Sequence, residues 1–131
     1  MRQTSKLHDI LFFAGMATLF THEMDAMLNH EWRVLPLTSW LPDQTGMQVF
    51  LFFHIPLFAV LIGLVASSNE IIRYRSRIGI SIFLVFHSLL HALFTGRSTY
   101  EFTSIPSMLL IYGGALFGLL HLILELRENR K

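Results

Sequence analysis

Apolar residues fall along this chain in three long runs that carry almost no charge. Met47–Val65 reads MQVFLFFHIPLFAVLIGLV, Ile78–Phe94 reads IGISIFLVFHSLLHALF, and Ile105–Leu124 reads IPSMLLIYGGALFGLLHLIL. At about 1.5 Å per helical residue each comes close to crossing a hydrocarbon core of about 30 Å. The shortest would use snorkelling or local bilayer thinning at its ends. A fourth run, Ile10–Phe20, gives way after eleven residues to Thr21, His22, Glu23 and Asp25. It could be read as a signal-peptide core behind Arg2 and Lys6, but no small-x-small cleavage site follows it. Its helical pattern also continues through Met24, Met27 and Leu28. A helix with a polar stripe turned into a bundle explains both facts, and a helix lying on the membrane surface is the alternative. The pattern therefore predicts an all-α integral membrane four-helix bundle with spans at residues 7–28, 47–66, 78–95 and 105–125, forming a single transmembrane domain over 1–131.

Composition agrees. Hydrophobic residues make up 53% of the 131 residues and charged ones 15%, against about 25% in a soluble domain. The absence of cysteine removes disulfides, thiolate metal sites and cysteine nucleophiles. A net charge of +1 gives no reason to expect a nucleic-acid partner. The placing of the charge says more. With the N-terminus in the cytoplasm, that side collects Arg2, Lys6, Arg73, Arg75, Arg77, Arg127, Arg130 and Lys131, and only Arg33 and Arg97 lie outside. The positive-inside rule then puts both termini in the cytoplasm of a cell whose inner membrane holds the protein. Trp32, Trp40, Tyr100 and Phe102 are expected at the outer headgroups. Gly114 and Gly118 form a GxxxG suited to close helix packing, and Pro56 should bend the second span.

Each span carries histidine, and ionisable groups at such depth are costly enough to be functional candidates. His22 lies six residues below the outer end of its helix and His54 seven below the start of its own, while His87 and His91 lie seven and three below theirs. All four fall within roughly 5–10 Å of the outer boundary. His22 and Asp25 share a helix face, with Glu23 on its flank. His87 and His91 are one turn apart, so both rings can address one centre. A metal site of His22, Asp25, His54, His87 and His91 is expected, with Glu23 as a general base. Zinc or iron suits that donor set best, and manganese is compatible. Met24, Met27, Met47 and Met108 at similar height would favour copper, or else fill gaps in the core. Other readings are haem b on His54 and His87, a metal-free polar network, and a proton or metal transport module. His30 and Glu31 lie just beyond the site. His8 and His121 are expected as an inner pair on the cytoplasmic side.

The stretch Thr21–Pro36, THEMDAMLNHEWRVLP, resembles the signature of a small bacterial four-helix membrane family, a resemblance that brings no established activity. More loosely, His with Asp in one span and HxxxH in another is similar to the histidine-box membrane metalloenzymes, which include desaturase-like oxidases and ceramidase-like hydrolases. That likeness implies a metal-dependent hydrolase or oxidase acting on a lipid-like or apolar substrate. The chain departs from the di-iron desaturases in lacking an HxxHH box. A structural subunit of a larger membrane complex, or a homo-oligomer in the lipid bilayer, is the reading from a different class.

Overall fold

In the computed structural model, residues 6–128 are described; Arg2, Arg130 and Lys131 of the predicted cytoplasmic charge lie outside the described residues. Four helices follow in order: α1 (Lys6–Leu28), α2 (Asp43–Val65), α3 (Glu70–Phe94) and α4 (Ile105–Glu128). A short 3-10 turn, Glu31–Arg33, follows α1. No strand occurs among the described residues. Helices α2, α3 and α4 are each long and apolar enough to cross a membrane.

Helix α1 is not apolar enough by that measure, yet it runs antiparallel to α4 along that helix's length. His8 meets Glu125 at one end, at 2.9 Å, and Asn29 reaches Ser107 at the other, at 3.4 Å. It therefore covers the same depth as a helix that can span. Its buried stripe is His8, Phe12, Gly15, Met16, Leu19, His22 and Ala26. The matching stripe on α4 is Ser107, Ile111, Gly114, Gly118, His121 and Glu125. Small and polar residues share the inside with Phe12, Met16, Leu19 and Ile111, while Ile10, Leu28, Phe52, Phe53, Leu93 and Leu109 stand outside, each at least 60% exposed. Large apolar residues outside and polar ones within suit a lipid solvent, where association rests on close packing and internal hydrogen bonds. Thr18 and Thr21 satisfy their hydroxyls on the carbonyls of Ala14 and Ala17 within α1.

Glycine sets the closest approaches. A Cβ on Gly118 would stand 2.7 Å from the Ser81 carbonyl oxygen, and one on Gly15 would meet Leu84 Cδ1 at 2.9 Å. The GxxxG of α4 thus lets α3 and α1 close upon it around Leu84.

The helices are longer than their apolar runs. Helix α3 begins eight residues before Ile78, because Asn69 caps it by accepting from the backbone N–H groups of Ile71 and Ile72. This places Arg73, Arg75 and Arg77 on the helix rather than in a loop. Helix α2 begins at Asp43, behind Pro42, and carries Pro56 within it. Of its residues only Gly46 and Phe50, both near the outer end, are buried. The rest of α2 packs only along one half-buried edge, through Phe58, Leu61 and Val65. It leaves a cavity of ≈ 320 Å³ against α1 and α3 and another of ≈ 420 Å³ against α1.

Gly118→Ala should lower stability by about 1–3 kcal/mol through overpacking against the α3 backbone. Gly113→Ala, with no heavy atom within 4 Å of the added carbon, should change it by less than about 0.5 kcal/mol. Unfolding of the two variants in detergent checks the contrast.

Candidate metal centre

Helix α1 ends at Leu28 and the chain turns back at once. His30 adopts the left-handed conformation, φ 49° and ψ 44°, the only non-glycine residue to do so among those described. Histidine tolerates that region better than most side chains. The reversal sends Glu31 and Trp32 inward, where both are buried, at 5% and 4% exposure.

Glu31 thereby meets three histidines. Its Oε2 lies 3.9 Å from His22 Nε2 and its Oε1 lies 3.5 Å from His91 Nε2. The His87 ring centroid is 4.9 Å from that of His22 and 4.6 Å from that of His91. One ligand atom from each of His22, Glu31, His87 and His91 falls within 4.8 Å of the others, so the group could hold a metal ion. Two ligands about 2.05 Å from a tetrahedral ion lie about 3.3 Å apart, so the ion needs only small rotations of these side chains.

The polar atoms of this group lack other partners. His22 Nδ1 and Nε2, His87 Nε2, His91 Nε2 and Glu31 Oε2 are all buried without a hydrogen bond among the described residues. Buried imidazole nitrogens and carboxylate oxygens are normally bonded, and leaving them unpaired is expensive. Burial, with the nearby charge of Glu23, pushes the Glu31 carboxyl up to about 8, while His54 opposes the rise and Asp25 adds to it. A cation at this point would reverse that burden. Tyr100 supplies outer support, its hydroxyl 3.2 Å from His91 Nδ1. This contact occupies the nitrogen away from Glu31 and leaves Nε2 turned toward the centre. Burial pushes the Tyr100 phenol up to about 12, so it keeps its proton.

The outer loops close over the group. Phe102 is 1% exposed and packs its ring 4.7 Å from His91 and 5.4 Å from His22. Arg97 donates to the Val34 carbonyl, and His30 and Arg33 meet Glu101. Trp32 Nε1 and Arg33 Nε both donate to Asp43 at the head of α2. Trp32 and Phe102 thus belong to the core rather than to the headgroup layer; Trp40, 75% exposed, keeps a surface position.

Of the residues expected to share one site, His22, His87 and His91 come together. His54 and Glu23 form a separate pair, with Nε2 2.9 Å from Oε2. His54 Nδ1 donates to the Phe50 carbonyl, so both nitrogens are engaged and neither is free to serve as an axial haem ligand. Nδ1 must carry hydrogen, because a carbonyl only accepts. Nε2 and the Glu23 carboxylate are then both acceptors, so their contact calls for a shared cation, a proton or a metal ion. Asp25 stands outside the four-residue group, with a buried Oδ2 lacking a partner among the described residues. Met24 is 72% exposed and Met108 46%, while Met27 and Met47 pack on the core around Trp32 and Phe50. The methionines are therefore filling and facing lipid rather than approaching the histidines. Glu31 was not foreseen as a member; the Asn29-His30 pair behind α1 was the available sign of a reversal.

At the opposite end of the bundle, His8, His121 and Glu125 form a second buried group that could hold a metal ion.

A protein-family model matches the chain. The model described as "Family of unknown function (DUF6713)" covers residues 8–128. The chain belongs to that family. The matched stretch of DUF6713 takes in all four helices and both histidine groups. No curated protein and no solved structure matches the chain.

Phe102→Ala should cost about 3–5 kcal/mol as a fully buried aromatic is lost. Hydrogen exchange should rise in residues 95–104 and 29–42 together, since these segments are tied to each other.

Proposed function

We propose that this DUF6713 protein is a membrane metalloprotein whose ion is held by His22, Glu31, His87 and His91 near the extracytoplasmic face. The observation that carries the reading is the convergence of three imidazoles and a carboxylate whose buried ligand atoms have no other partner among the described residues. The donor set, three nitrogens and an oxygen without sulfur, favours zinc, iron(II) or manganese over copper. The likeness of His87-x-x-x-His91 to histidine-box metalloenzymes points the same way. The bias of Lys and Arg toward the ends of the chain and the first turns of α3 supports a multi-pass arrangement in the cell inner membrane with both termini cytoplasmic.

The chemistry we assign is hydrolysis or oxidation of a lipid-like or apolar molecule. A bound divalent ion would supply an activated water or an oxygen-binding position. The chain supplies the rest. Leu57, Phe58, Leu61, Ile80 and Phe83 line the ≈ 320 Å³ cavity between α1, α2 and α3, and Glu23 is on its wall. An apolar chain entering from the lipid would lie among those residues with its polar end toward Glu23. The Glu23–His54 pair then donates or accepts a proton there, and Asp25 and Glu23 add negative charge beside Glu31.

Elemental analysis of detergent-purified protein tests the centre. Zinc, iron or manganese should be present, and His87→Gln or Glu31→Gln should remove close to one equivalent while helix content by circular dichroism is kept. Tyr100→Phe should weaken retention of the same ion by roughly 10–100-fold. Variants that keep the full wild-type ion content would sink the assignment.

A further inference from the structure

The group at the opposite end of the bundle differs in kind from the outer one. His8 of α1 and His121 and Glu125 of α4 are 2%, 1% and 7% exposed. His8 Nε2 lies 3.1 Å from Glu128 Oε1, and His8 Nδ1 lies 2.9 Å from Glu125 Oε1. Only the Nδ1–Glu125 contact has hydrogen-bond geometry. A proton on Nδ1 therefore satisfies that pair, whereas a metal ion in the same place would put the hydrogen on Nε2, facing Glu128.

His121 decides between these. Its Nδ1 is held by Ser81 Oγ at 2.9 Å, which leaves Nε2 turned to the same Glu125 Oε1, at 3.8 Å. A proton serves two atoms; here three ligand atoms converge. The separations of 2.9 Å and 3.8 Å bracket the roughly 3.3 Å between ligands of a tetrahedral ion. Each imidazole also has a polar group at its far nitrogen, Glu128 at 3.1 Å from His8 Nε2 and the Ser81 hydroxyl bonded to His121 Nδ1. This is the outer-shell support that orients metal-ligating histidines. The nearby cation Arg77 is paired with Asp9, so it does not compete for Glu125.

We propose that His8, His121 and Glu125 bind a second divalent transition-metal ion at the cytoplasmic end, with Glu128 and Ser81 as positioning residues. Two histidines and one carboxylate leave coordination positions open, as suits iron(II), manganese or zinc in exchange with solvent. The site shares no residue with the outer centre and stands or falls separately.

The test uses the full chain in detergent, stripped with chelator, reloaded with Zn²⁺ alone and analysed for ions per chain. Wild type should retain two. His121→Gln and Glu125→Gln should each retain one, His91→Gln should also retain one, and the His91→Gln/His121→Gln double variant none. Ser81→Ala, which removes no ligand, should weaken one of two binding phases by about 10–100-fold and leave the other unchanged. Co²⁺ loading should show two ligand-field spectra, one lost with each group. If His121→Gln and Glu125→Gln hold as much Zn²⁺ as wild type, or Ser81→Ala leaves both phases unmoved, a protonated His8 occupies the inner position and the proposal is overturned. An ion lost with His121→Gln but kept in His91→Gln would overturn the outer assignment instead.

Discussion

In a bilayer core an unpartnered polar group costs on the order of several kcal/mol, and α1 carries two histidines, Glu23 and Asp25 through that depth. It is tolerated because it lies against α4 and α3 rather than facing lipid on all sides. Gly15, Gly114 and Gly118 let the backbones come so near that short polar side chains on α1 reach across. The glycine contacts and the polar groups depend on each other. Wider spacing would leave His8 and His22 without neighbours, and an apolar α1 would leave His121, Glu125, His87 and His91 exposed to hydrocarbon.

The outer end is closed by loop segments rather than by helix. A left-handed residue of a non-glycine type costs about 1–3 kcal/mol, and His30 accepts that conformation directly before the one carboxylate that reaches the histidine group. The strain is held in place by the Glu101 contact of His30 and by the burial of Trp32 and Phe102 on either side. The link from the αL turn to Glu31 is where local backbone structure becomes chemistry.

Helix number and the meeting of His22, His87 and His91 were legible because depth can be counted from the ends of apolar runs. The same arithmetic put His54 at the right height but not in the right place. Depth does not report azimuth, and α2 turns His54 toward Glu23 on the flank of α1 rather than toward His22, His87 and His91. Glu31 and Phe102 were hidden by a tertiary reversal that no periodicity records. The early start of α3 was hidden by its arginines, which interrupt hydropathy without interrupting the helix; Asn69 in the SSNE stretch was the signal that survived. The polar character that made α1 doubtful as a span is the same character that makes it a wall of the outer group, of the Glu23–His54 pair and of the inner group.

That last point bears on which ion suits which task. Helix α1 contributes His22 to the outer group, Glu23 to the pair with His54 and His8 to the inner group. The residues lining the apolar cavity include Glu23 but none of the four outer ligands. On the proposed reading, a molecule entering that cavity would meet the Glu23–His54 pair before the outer group. Four protein ligands complete the shell of a tetrahedral zinc, which would then be structural, locking the loops onto α3. Iron(II) or manganese accepts five or six ligands and keeps positions open on the same four side chains. If the outer centre performs chemistry on a substrate delivered past Glu23, the coordination count favours one of those two ions over zinc.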